Sequence, residues 1–146
     1  MGTGCRLGEA LSTRWCDVDL HDRHVFLPDT KNGTSRVLTL PEPLVAELKK
    51  HRQIGVGLVF GRDEEPAAPF HFRKHWNQAR TAAGLPDLRL HDLRHDVASQ
   101  LAMAGATLHE VAEVLGHKSV QTTKRYAHLS TSHKQALTDR VLGDKL

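Results

Sequence analysis

The stretch that most constrains the fold is residues 90–129, where the sequence is punctuated as a run of short helices. Leu90, Leu93, Val97 and Leu101 recur at helical spacing and predict an apolar stripe that Gly105 terminates. Thr107 and Glu110 form a capping-box pair, in which the hydroxyl and the carboxylate satisfy free amides at a helix start. Leu108, Val111, Ala112 and Leu115 give that helix a buried face, and Gly116 suits the left-handed position after its last turn. Ser119 is placed to cap a further helix carrying Tyr126, the only tyrosine in the chain. Residues 130–142, with Leu137 and Val141 one turn apart, predict a peripheral helix.

Upstream the period changes. Residues 24–28 and 36–40 are β-branched and aromatic-rich, and Lys31-Asn32-Gly33 between them supplies turn chemistry, because Asn-Gly tolerates positive φ. This predicts a β-hairpin with Lys31 near its tip. Short helices are expected over residues 7–11, from Pro41 and Pro43 to about Gln53, and over residues 70–83 before Gly84. Residues 55–69 read as loop apart from Leu58-Val59-Phe60. The predicted class is α+β, mainly α-helical with a small antiparallel β-sheet.

Composition adds bounds rather than identity. With 146 residues, 39% hydrophobic and 25% charged, the chain has one domain's worth of core. Its apolar runs are short and interrupted, so no membrane span is expected. Cys5 and Cys16 have neither a disulfide framework nor metal-type spacing, which favours a reducing, cytoplasmic setting. A net charge of +3, before any of the 11 histidines is counted, admits a nucleic-acid partner without requiring one. The N-terminus runs straight into a helix-start pattern, so the chain reads as the later part of something longer.

The chemistry-bearing residues each have an ordinary explanation when isolated. His91 and Arg94, three apart at a helix start, fit a surface histidine and a snorkelling arginine. His117 after a helix end is favoured by the helix dipole, and Tyr126 fits a packing role. Arg6 and Lys31 fit solvated charges. It is the ordered set that is informative. Thr3-Gly4-Cys5-Arg6-Leu7-Gly8-Glu9-Ala10-Leu11 resembles the first arginine box of the tyrosine recombinases, the phage integrase family, and Trp15-Cys16-Asp17-Val18 resembles the segment next to that box. Thr30-Lys31-Asn32-Gly33-Thr34-Ser35-Arg36 is similar to the hairpin that carries the family's catalytic lysine, and Leu90-His91-Asp92-Leu93-Arg94-His95 to its His-x-x-Arg box. Leu115-Gly116-His117-Lys118-Ser119 and Thr122-Thr123-Lys124-Arg125-Tyr126-Ala127-His128 resemble the closing signature.

The resemblance implies a catalytic domain over residues 1–146 that lacks its first helices and an N-terminal DNA-binding domain, with 130–146 as a tail segment. It implies that Tyr126 attacks a phosphate of duplex DNA, leaving a 3′-phosphotyrosyl link that a second 5′-hydroxyl reverses, with no metal, cofactor or ATP. Arg6 and Arg94 would clamp the phosphate oxygens, and His117 would donate to them. His91 would act as the base for Tyr126 and Lys31 as the acid for the leaving oxygen, while Glu9 would orient an arginine or the base. A free tyrosine, with a pKa near 10, is ionised only about once in a thousand at pH 7, so such help is chemically necessary. Self-association on DNA is implied, as a tetramer in the active complex, with an accessory DNA-bending protein as an optional partner.

Two rivals remain open at this level. Residues 107–128 read equally as a helix-turn-helix module with a recognition helix at 119–126, although that leaves Arg6, Lys31 and the His-x-x-Arg box as coincidence. His91 and His95, one turn apart, also suggest a metallohydrolase, but no glutamate between them and no spaced third ligand completes a zinc pattern.

Overall fold

The computed structural model describes residues 2–28, 35–51 and 57–143. Six α-helices occupy Leu7–Ser12 (α1), Glu42–Lys50 (α2), Phe72–Ala82 (α3), Asp92–Met103 (α4), Leu108–Leu115 (α5) and Thr131–Leu142 (α6). Strands Val18–Asp19 (β1), His24–Leu27 (β2) and Arg36–Thr39 (β3) form an antiparallel sheet in the order β1-β2-β3. Val25 pairs with Leu38 and Leu27 with Arg36, which sets the hairpin register. The expected mix of helices with a small antiparallel sheet is therefore found, and β1 is an addition to it. The turn residues 29–34, including Lys31, lie outside the described residues, as do residues 52–56, where α2 is expected to end. No helix among the described residues is long and apolar enough to cross a membrane.

Two apolar clusters organise the chain. In the first, Val25, Leu27 and Leu38 of the sheet, with Leu40 just after β3, meet Val45 and Leu48 of α2, together with Cys5 and Trp15. Period-two alternation along β2 and β3 turns these residues to one face, and full burial of each aliphatic side chain contributes about 1.5–3 kcal/mol. In the second, Ala98 and Ala102 of α4 meet Val111 and Leu115 of α5 and Tyr126.

Here the structure departs from the sequence reading. The inward face of α4 is Arg94, Ala98 and Ala102, whereas Leu93, Val97 and Leu101 are half-buried. The physical reason is size. Alanines at 98 and 102, both with no exposed surface, let α5 and the segment after it approach closely, and that leaves depth for the Arg94 side chain.

The α5 boundaries follow their local chemistry. The Thr107 hydroxyl accepts from the Glu110 amide at 3.2 Å and the Glu110 carboxylate accepts from the Thr107 amide at 2.7 Å. At the other end Gly116 sits at φ 66°, and the amides of Gly116 and His117 donate back to Glu113 and Ala112. That is the Schellman arrangement.

Beyond it, Val120–Ser130 is a 3₁₀ segment rather than the expected α-helix. Ser119 caps it by accepting from the Gln121 amide. With three residues per turn, Thr123, Tyr126 and Leu129 stack in one row, and that row faces inward.

Gly4 ties the two clusters together. Its φ is 66°, and a Cβ there would stand 2.7 Å from Leu115 Cδ2 and 3.1 Å from Val97 Cγ1. Gly4→Ala is expected to destabilise the chain by at least about 2 kcal/mol, combining left-handed strain with overpacking. Thr107→Ala, which removes only a cap, should cost about 1 kcal/mol. Urea unfolding of both variants checks this; a Gly4→Ala midpoint equal to wild type would contradict the close approach.

Candidate active site

Three arginines converge on the end of α5. The Schellman turn leaves the carbonyls of Val114, Leu115 and Gly116 without partners inside the helix. Arg36 Nη1 donates to Val114 at 2.9 Å, Arg94 Nη2 to Leu115 at 2.7 Å, and Arg6 Nη2 to Gly116 at 3.0 Å. The C-terminal end of a helix carries partial negative charge, so guanidiniums are favoured there. Each arginine comes from a different element: the residue before α1, the start of β3, and the first turn of α4.

Arg94 is the deepest of the three, only 3% exposed, and its Nη1 also donates to the Gly4 carbonyl at 2.5 Å. Burial, with the Arg6 charge nearby, brings its pKa down to about 10, so it remains a cation at neutral pH. Each of its charge-assisted bonds is worth about 1.5–3 kcal/mol. Arg6 is about one-third exposed, which leaves donor capacity open to solvent.

Glu9 sits between two of these cations. Its carboxylate accepts from Arg6 Nη1 at 2.8 Å and from Arg36 Nη2 at 2.7 Å, and also from the Arg6 amide. Burial pushes the carboxyl up, but those hydrogen bonds outweigh it and hold it below the usual glutamate value. The resemblance implies that Glu9 orients an arginine or the base; it contacts two arginines.

His117 comes directly after the Schellman glycine. Its Nδ1 lies 2.9 Å from the hydroxyl of Thr123, a residue with no exposed surface. Burial lowers its pKa to about 4, helped by Arg94, Arg6, Arg125 and Arg36 around it. The ring is therefore neutral at pH 7.

Tyr126 is 6% exposed, and burial raises its pKa above the ordinary value. The residue against its hydroxyl is His95, with Nδ1 at 2.5 Å, and not His91. His91 is exposed and meets His95 edge-on, with ring centroids 4.9 Å apart. The reason is helical depth. His91 precedes the first residue of α4, whereas His95 lies one turn further in, where α4 packs on the 3₁₀ segment.

Arg6, Glu9, Arg94 and His117 are thus gathered at one turn, Tyr126 stands on the segment leaving it, and Lys31 lies outside the described residues. Sequence reasoning gives no role to Arg36 or Thr123, and considers His95 only as a metal ligand beside His91. Arg36 shares the inward register of Leu38 and Leu40, which marks a charge placed among core positions. His95 adjoins Arg94, and Thr123 is three residues before Tyr126; neither spacing is distinctive without the 3₁₀ register.

The model of the Phage integrase family matches residues 1–133, and the chain belongs to that family. It is 34% identical over 128 residues to the shufflon-specific DNA recombinase of Escherichia coli, covering 87% of this chain and 32% of that protein. Among solved structures, XerA recombinase superposes with a TM-score of 0.72 at 24% identity, over 94% of this chain and 52% of that one. The integrase of transposon Tn1549, in complex with circular intermediate DNA, gives 0.70 at 19% identity, over 96% of this chain and 56% of that one. The chain spans 32% to 44% of the length of the curated relatives it matches. Its fold is that of tyrosine recombinase catalytic domains.

Because folding holds His117 neutral, its contribution to stability is complete above the unfolded-state value of about 6.5 and is lost as pH falls toward 4. His117→Asn should flatten the decline of stability with acid over that window relative to wild type. Denaturant titrations across pH check the difference; identical slopes would contradict the burial of a neutral His117.

Proposed function

We propose that this chain is the catalytic domain of a site-specific recombinase that cleaves and rejoins duplex DNA through a 3′-phosphotyrosyl intermediate. The observation that carries the reading is the gathering of Arg6, Arg94 and His117 at one helix end, with the sole tyrosine of the chain on the next segment. A phosphate seated on the free donors of Arg6 and His117, with the Arg94 charge beneath it, would meet fixed cations as charge builds on the pentavalent phosphorus. Side-chain cations then do what a metal ion does in other phosphoryl-transfer sites.

Tyr126 Oη attacks the phosphorus and the 5′-oxygen leaves, protonated by Lys31 from the hairpin. A 5′-hydroxyl of a new strand reverses the step, so the phosphodiester energy is conserved and no ATP is consumed. Glu9 keeps Arg6 and Arg36 in place. His91, exposed at the mouth of α4, is available to the DNA backbone. Its bond to Tyr126, expected from the sequence, is made instead by His95. On the same reading the whole protein carries a further DNA-binding domain ahead of this one, and copies assemble as a tetramer on paired sites. The exposed Leu137, Val141 and Leu142 of α6 offer a surface for that contact.

Covalent capture tests the reading. The chain and its Tyr126→Phe variant are incubated with pooled genomic fragments and chelator, and detergent-resistant adducts are collected. An adduct that requires Tyr126 is expected. Arg6→Ala should slow its formation about 100-fold, on the order of 3 kcal/mol in the barrier. A salt-sensitive gel shift from both proteins with no adduct, even with the upstream region of a relative fused ahead of the chain, would replace the recombinase reading with a helix-turn-helix binding module.

A further inference from the structure

We propose that His95 is the catalytic proton acceptor for Tyr126, taking the phenolic proton on Nδ1 as Oη attacks phosphorus. The inference rests on the recombinase reading and assigns a residue within that site. Among the described residues, His95 Nδ1 is the hydrogen-bond partner of the Tyr126 hydroxyl, at 2.5 Å. The rings are tilted by 43° with centroids 6.2 Å apart, so they do not stack, and the contact is the Nδ1–hydroxyl hydrogen bond. A buried phenol has one donor hydrogen, and leaving it unpaired costs about 1–3 kcal/mol. With Nδ1 as acceptor and the ring proton on Nε2, that hydrogen is satisfied and the route for proton transfer is already built.

The environment favours an acceptor. Burial lowers the pKa of His95, as do the neighbouring His91, Arg125 and Arg89 charges, while Asp92 opposes them. Besides Tyr126 itself, the charged and titratable groups that act on the ring among the described residues are His91, Asp92 and Arg89, on α4 and the turn before it, and Arg125 on the 3₁₀ segment. A neutral imidazole can take a proton, and an imidazolium cannot. The step balances. The Oη–H bond breaks with its proton passing to Nδ1, the Oη–P bond forms, and the P–O5′ bond breaks with the leaving oxygen protonated by Lys31. In the return step the incoming 5′-hydroxyl gives its proton to Lys31, and Oη regains its own from His95.

Two measurements on the full chain decide the matter. Nitrogen-15 NMR of the imidazoles, with His95 assigned by its absence from His95→Gln, is expected to show His95 neutral at pH 7.5 with its proton on Nε2. A proton on Nδ1 would overturn the proposal, because the histidine would then donate to Tyr126. Single-turnover cleavage is then compared on the captured duplex and on one with sulfur replacing the scissile 5′-oxygen, a leaving group that needs no acid. His95→Gln should be slowed about 100-fold or more on both, with the imidazole limb lost from its pH profile. Lys31→Ala should recover on the sulfur substrate. His95→Gln cleaving as fast as wild type, or faster, would overturn the proposal and make His95 a latch that holds Tyr126 at rest. If wild type forms no Tyr126-dependent adduct, even with the upstream region of a relative fused ahead of it, the recombinase reading fails and His95 has no step to catalyse, whichever tautomer the NMR finds.

Discussion

Three consecutive carbonyls at the end of α5, left unpaired by a Schellman turn, are the constraint on which the rest of the structure depends. Carbonyls at a helix end need donors from outside the helix, and the negative end of a helix dipole favours cationic ones. Arg36, Arg94 and Arg6 supply them, one to each of Val114, Leu115 and Gly116. Each arginine belongs to a separate element, so satisfying one helix end also docks the sheet, α4 and α1 to a single point. The approach of Gly4 to Leu115 and Val97 is a second link between the two apolar clusters.

The same arrangement explains how like charges can be held together. Glu9 neutralises part of the cluster by binding Arg6 and Arg36 at once, and the carbonyl dipoles supply the remainder. On the proposed recombinase reading, such a site would be preorganised: its cations would be in position before a phosphate arrived, and little reorganisation would be needed as charge developed. His117 is placed by the turn itself, since it is the residue whose amide closes the Schellman motif. Thr123 then fixes its ring, and the three-residue period of the 3₁₀ segment sets Tyr126 in the same inward row.

Much of this is legible in the residues. The capping box at Thr107, the left-handed Gly116, the hairpin strands and the final helix are local chemistry, and local chemistry is what sequence patterns record. The gathering of Arg6, Arg94 and His117 is legible only as an ordered set of motifs, because residues as far apart as Arg6 and Gly116 carry no spacing signal of their own. The inward face of α4 escapes the pattern for a physical reason: apolar periodicity favours Leu93, Val97 and Leu101, whereas the packing rewards two alanines and a buried arginine. His95 yields to His91 in the sequence reading because helix depth, rather than motif membership, decides which imidazole reaches Tyr126. The 3₁₀ register of residues 120–130 has no counterpart in residue type, and without it Thr123 and Tyr126 do not fall in one row.

Whether the arginine cluster at the end of α5 is a preformed oxyanion site is tested most directly by nitrogen-15 NMR of the arginine side chains during titration with orthovanadate, a trigonal-bipyramidal mimic of the attacked phosphate. The Arg6 and Arg94 signals are expected to shift together along one saturating curve, while Arg62, which bonds the Pro69 carbonyl and Glu65 instead, does not respond. Shifts confined to exposed arginines, with Arg6 and Arg94 unmoved, would mean that the cluster only holds the fold together.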